Sequence, residues 1–241
     1  MVQVIVGTGD SQALFTVYAS VFKQRSTFFE SALSGRWNSK DGVRGPIKLP
    51  DDESEVFERY LKCVYLSEAR VRLNSIKNGD PDDLSTYDGY EDDQVTLLYT
   101  KAYVLADKLG DYAAANMFMD TLIDDVSSTC ISPSSGAIAY AWEHTPQSSP
   151  LRRLCVHLWV SDMIAYDYEL SEPEDDDLPR GFVLQLISEM VQVSKGEDTA
   201  ATRIYREKLE FFDSVRARKE EYHQYDRLCP KPSEKEGKDC V

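Results

Sequence analysis

Gly7-Thr8-Gly9 follows a short run of alternating valines. A glycine turn after a strand can hold a nucleotide phosphate when a helix N-terminus comes next. Here the third glycine of that pattern is missing and Phe15-Thr16-Val17-Tyr18 reads as a second strand, so the turn is expected to close a hairpin. Cys155-x-His157 is spaced too tightly on one helical pattern to offer the usual pair of zinc ligands, no second pair follows, and His144 and His223 have no convincing partners. The cysteines, Cys63, Cys130, Cys155, Cys229 and Cys240, are odd in number, widely spaced and without a Cys-x-x-Cys pair, which fits reduced thiols. Cys63 lies beside Leu61 and Val64 and reads as a small buried hydrophobe, while Cys229 and Cys240 fall in or near a tail. No serine or cysteine sits in an elbow with a base and an orienting group. Catalytic residues, cofactor-binding residues and metal ligands are therefore expected to be none, and the chain is read as a non-enzyme.

Paired carboxylates are plentiful, but their location argues against acid–base work. The chain of 241 residues has a formal charge of −15, and two stretches hold most of the excess. Asp80 to Asp93 carries seven acids and Glu169 to Asp177 carries six, neither with a Lys or Arg, which leaves 29 acids against 27 bases elsewhere. Clustered like charges repel and cannot bury, so both stretches are expected to be solvated insertions, or acidic docking strips for a basic partner, in which carboxylate spacing is not maintained. They would repel a polyanion, and no basic patch compensates, so no nucleic-acid partner is expected. No run approaches the ~18 apolar residues of a membrane span and no secretion signal is seen, which points to the cytosol or nucleus and no membrane partner.

The remaining residues that could work by binding are aromatic: Phe22, Phe28, Phe29, Trp37, Tyr60 and Tyr65 cluster in the first part of the chain. Phe28 or Phe29 must fill a core, so Phe22, Trp37, Tyr60 and Tyr65 are the candidates for a partner interface. The elements around them follow from spacing. Val2, Val4 and Val6 alternate as a strand, Arg25 to Leu33 changes to helical spacing with Phe29, Ala32 and Leu33 on one face, and Ile47-Lys48-Leu49-Pro50 resumes as a strand.

That ordered series resembles a BTB/POZ domain: Val-x-Val-x-Val-Gly, Phe15-x-Val17-Tyr18, Arg25-Ser26-x-Phe28-Phe29-x-x-Ala32-Leu33, Ile47-x-Leu49-Pro50-Asp51-Asp52, and Glu55-Val56-Phe57-x-x-Tyr60-Leu61-x-x-Val64-Tyr65. After an insertion, Leu97-Leu98 with Ala102 to Leu109 looks like the family's next helix, and Ala113 to Ile123 like the one after it. Residues 131 to about 160 look like the tail accompanying such domains in many fungal proteins. The series departs from the family where a His followed by a charged residue and a leucine is usual, since this chain has Tyr18, Ala19 and then Phe22. Many transcription-factor members also carry a strand and helix before the first strand, for exchanged dimers, whereas here the first strand begins at Val2.

The expected fold class is α/β (α+β): a BTB/POZ domain of a small mixed sheet flanked by helices, followed by an all-helical C-terminal region. The expected domains are 1–128, with an acidic insertion at about 68–93; a helical extension over 131–228, with an acidic loop at about 169–177; and a frayed tail over 229–241. In the extension, Ser132-Pro133 and Ser149-Pro150 each place a cap before a proline, and Leu151, Leu154, Cys155 and Leu158 trace one apolar face that Trp159 and Met163 widen. Pro179 opens a helix carrying Phe182, Val183, Leu186, Ile187, Met190 and Val191, and an amphipathic helix is expected over about Asp198 to Tyr225. The resemblance implies an adaptor for a cullin-type ubiquitin ligase or the oligomerisation unit of a regulatory complex. The expected partners are accordingly proteins: a cullin, or the chain itself as a homodimer.

Overall fold

The computed structural model describes residues 1–34, 45–67, 69, 89–129, 132–165, 178–195, 219–225 and 228–231. Among these residues the protein is a mixed α+β fold, mostly helical, with one small sheet. β1 (Val2–Val6) and β2 (Ala13–Val17) pair antiparallel as the expected hairpin, in the register Val4↔Phe15. Gly7 and Gly9 adopt positive φ at the turn between them, which also contains a 3-10 segment, Gly9–Ser11. β3 (Ile47–Leu49) pairs parallel to β1, giving the strand order β2-β1-β3. The valines of β1 face a core, and Gln3 on the opposite side is exposed.

The helices are α1 (Ala19–Arg25), α2 (Thr27–Ala32), α3 (Ser54–Leu66), α4 (Gly89–Lys108), α5 (Tyr112–Thr129), α6 (Ser135–His144), α7 (Pro150–Ala165) and α8 (Arg180–Ser194). Packing divides the chain into two compact units: Met1–Ala69 with Ala102–Phe118 and His223–Val241, and Arg70–Lys101 with Met119–Tyr222. The units interleave along the chain, where the sequence suggested a succession breaking near residue 128. The physical reason is that α4 and α5 each supply residues to both cores.

Several local differences have clear causes. The helical spacing expected from Arg25 to Leu33 is broken at Ser26, which is extended (φ −120°, ψ 123°) and caps α2 by accepting from Phe29 N. The first cap of the helical region is Ser134 rather than Ser132, because Ser134 Oγ accepts from Ala137 N. Pro133 instead lends its carbonyl to Trp159 Nε1 at 3.0 Å. Ser149 begins α7 as expected through its backbone, accepting from Arg153 N. The last part of the first acidic stretch, from Gly89, is the start of α4 rather than loop.

The amphipathic helix expected to reach Tyr225 does not extend that far. Lys219–Tyr222 is a 3-10 segment and His223–Tyr225 has no regular structure. There, Gln224 N donates to Asn116 Oδ1 and Asn116 Nδ2 donates to Gln224 O, both at 2.7 Å, so a side-chain amide takes the bonds a helix would use. Trp37, Cys130, Cys240, the acidic loop 169–177, residues 198–218 and most of the tail lie outside the described residues.

Candidate protein-docking surface

The apolar positions of α3 are Val56, Phe57, Tyr60, Cys63 and Val64, and all are buried in the first unit. This stripe advances by three and four residues. Tyr60 belongs to it and is fully buried, as is Phe22 of α1, so neither ring is available to a partner in this fold. Phe22 stacks edge-on against Phe29, with ring centroids 4.9 Å apart. Two of the expected interface aromatics are therefore core residues, and a third, Trp37, lies outside the described residues.

The fourth is exposed. Tyr65 falls one position past the stripe, at the end of α3, and is 40% exposed beside Leu66 at 65%. The helix stops there because Ser67 takes a left-handed conformation (φ 53°) and donates its N–H to Cys63 O. Tyr18 precedes α1 as its extended N-cap residue and is 56% exposed. Its backbone N–H donates to Tyr65 Oη at 3.0 Å, and the two rings meet edge to face at 6.2 Å. Tyr65 also rests edge-on against buried Phe22, with centroids 5.8 Å apart. The patch thus consists of Tyr18, Tyr65 and Leu66, with Phe22 as its floor.

The support behind this patch converges on one turn. α4 ends in a Schellman arrangement, in which Gly110 N donates to Asp107 O and Asp111 N donates to Ala106 O, both at 2.9 Å. Gly110 has φ +62°, and a β-carbon there would lie 2.1 Å from Thr27 Oγ1. That close approach lets Ser26 Oγ donate to Leu109 O at 2.5 Å and Thr27 N to Gly110 O at 3.3 Å, fixing the start of α2. Asp111, fully buried, caps α5 by accepting from Ala114 N at 3.0 Å. The same carboxylate accepts from Tyr60 Oη at 3.0 Å and from Arg25 Nε at 3.1 Å.

The electrostatics of this turn are those of a closed structural cluster. Burial alone would lower the Arg25 guanidinium, but the Asp111 charge and hydrogen bond outweigh it and raise the pKa. Burial, then Asp111, hold the Tyr60 phenol well above its ordinary value. Burial pushes the Cys63 thiol up to about 12, which denies it thiolate character at neutral pH. Cys155 is likewise pushed up to about 12 by burial.

In the second unit, His157 is buried, with Nδ1 2.7 Å from Tyr222 Oη. Its Nε2 lies 3.9 Å from Glu189 Oε1, but burial, helped by the Arg153 charge, lowers its pKa to about 4. The imidazole is therefore neutral at pH 7 and forms no ion pair with Glu189 there. Tyr222 is itself buried, so this contact packs the Lys219–Tyr222 segment rather than presenting a reactive group. Among the described residues no group of three or more His, Cys, Asp or Glu side chains could hold a metal ion, and no helix is long and apolar enough to cross a membrane. Set against protein-family models, curated proteins and solved structures, the chain matches none, so what carries a reading of function is the geometry of the exposed Tyr18–Tyr65–Leu66 patch.

Proposed function

We propose that the protein is a non-catalytic interaction module of BTB/POZ type, acting as an adaptor or self-association unit. The observation that supports this reading is the Tyr18–Tyr65–Leu66 patch. Two aromatic rings and a leucine are held in the open by a backbone hydrogen bond and by the buried ring of Phe22. Such rings bind at low entropic cost because their positions are already set, and Tyr is enriched among residues that dominate interface energetics. In the adaptor form the patch contacts a cullin-type ubiquitin ligase. The alternative, a structural oligomerisation subunit without ubiquitin chemistry, uses the same patch against a second copy or a regulatory protein.

The test is affinity purification of the tagged full-length chain from its native cells, with stoichiometry by mass spectrometry, beside a Leu66→Glu variant. Recovery of a cullin in near-equal amount, lost in the variant, supports the adaptor. Recovery of only the chain itself or of regulatory proteins, again lost in the variant, supports the oligomerising scaffold. Partners that bind the variant as well as the parent sink the patch as the docking surface.

A further inference from the structure

The second unit contains a cavity of about 400 Å³ lined by Trp142 of α6, Gln147, Arg152 of α7, and Leu184, Gln185 and Ser188 of α8. Among the described residues, no carboxylate lines it. Arg152 closes the end of α6: Nε donates to Thr145 Oγ1 at 3.0 Å, and Nη2 donates to Trp142 O at 2.6 Å and to Thr145 O. Those partners are neutral. Among the described residues no acid pairs with this guanidinium, and its Nη1 makes no hydrogen bond. Its Cζ lies 5.1 Å from the centre of the Trp142 ring.

The tryptophan adds a second unused donor. Trp142 Nε1 makes no hydrogen bond among the described residues and lies against Gly181, another lining residue, where a β-carbon would approach it to 3.0 Å. Gln147 and Gln185 carboxamides and the Ser188 hydroxyl offer further donors, while the Trp142 ring and Leu184, which is 57% exposed, supply apolar wall. We propose that this cavity binds a ligand carrying a single carboxylate beside an apolar group. The inference is independent of the docking patch in the first unit.

One charge is the argument for a carboxylate over a phosphate. Among the described residues the cavity offers one uncompensated cation, Arg152, sufficient for a monoanion but not for a dianion. The adjoining cavity of about 190 Å³ shares Gln147, Gln185 and Ser188 and carries both Arg153 and Glu189, whose opposite charges offset each other and leave no net cation there for a second negative charge. The volume lies in the range of small-ligand sites. Two sources present this chemistry: a free small apolar acid, and the carboxyl end of a peptide finishing in an apolar residue.

The experiment follows the Trp142 indole N–H resonance of the full chain, assigned by its loss in Trp142→Phe, during titration with N-acetyl-L-leucine and with the uncharged N-acetyl-L-leucinamide. The proposal expects a saturable shift with the acid and none with the amide. Leu184→Glu, at an exposed position, should weaken binding by about tenfold or more through repulsion, whereas Leu184→Gln should retain most of it. A tetrapeptide ending in leucine with a free carboxylate distinguishes the sources: tighter binding than N-acetyl-L-leucine supports a peptide end, and no gain supports a free small acid. Absence of a saturable shift with the acid, equal response to acid and amide, or indifference to Leu184→Glu overturns the proposal.

Discussion

Arg25 and Arg152 each anchor helix ends, yet they sit in opposite electrostatic circumstances. In the first unit Arg25 meets the fully buried Asp111 carboxylate, which Tyr60 Oη and Ala114 N also satisfy. In the second unit Arg152 meets two carbonyls and a hydroxyl and no carboxylate among the described residues. Hydrogen bonding is similar at the two sites, but the charge is neutralised only at the first. A cluster whose charges cancel internally is structural cement, and a cation left uncancelled beside a cavity keeps its capacity for an anion.

The strongest way to break this contrast is to remove the first site's carboxylate. Asp111→Ala leaves Arg25 and Tyr60 without their buried acceptor and α5 without its cap, and should cost about 3–5 kcal/mol in urea denaturation. An additional Arg25→Met change should recover part of the loss, because the unpaired charge goes with it.

The pH dependence of the second unit comes next. The pKa of His157 is lowered from 6.5 to about 4 by burial, so the unfolded chain binds a proton between those values while the folded chain does not. Stability from this residue is therefore full above about pH 6.5 and falls as pH drops to about 4, by up to about 3 kcal/mol. His157→Gln should flatten that part of the curve when denaturation midpoints are compared across the window.

Gly110→Ala probes the turn that holds Asp111. It forces a β-carbon onto Thr27 Oγ1 at positive φ and should cost about 2 kcal/mol. A Thr27→Ala change in the same chain relieves the clash but not the φ, and so should restore only part of the stability. The smallest effect belongs to Arg152→Gln, which forfeits bonds to carbonyls but leaves no charge stranded, and should cost about 1–2 kcal/mol. A loss as large as that of Asp111→Ala would erase the distinction between the two arginines.

Much of the local structure was legible in the residues. Alternating valines and a glycine turn gave the hairpin, and Ile47 to Leu49 gave the third strand. Leu151, Leu154, Cys155 and Leu158 are all buried on α7, as their spacing required. The aromatic surface was harder to read because ring chemistry carries no direction. Tyr60 shares a stripe with Val56, Cys63 and Val64, and that spacing, used alone, would have placed it inside and left Tyr65 outside. Phe22 belongs to a seven-residue helix, too short for periodicity to show its face. Gly110-Asp111, read as a helix stop followed by an N-cap, was the available signal for the buried turn, but its partners Arg25 and Tyr60 lie 86 and 51 residues away. The cavity beside Arg152 depends on which donors remain unused, a property of the assembled structure.

The pairing of Asn116 with Gln224 has a consequence for how the chain is made. These residues are 108 apart in sequence, and Gln224 Nε2 also donates to Tyr103 Oη at 2.6 Å and to Asp107 Oδ1 at 3.1 Å. During synthesis the strands and α1 to α5 leave the ribosome long before Gln224 does. Until then the part-buried Asn116 amide lacks its backbone partner. The first unit, though it holds the N-terminus, is therefore completed only after the chain past Tyr222 has been made, and a chain truncated before Gln224 should exchange its α4 and α5 amide hydrogens faster than the full protein.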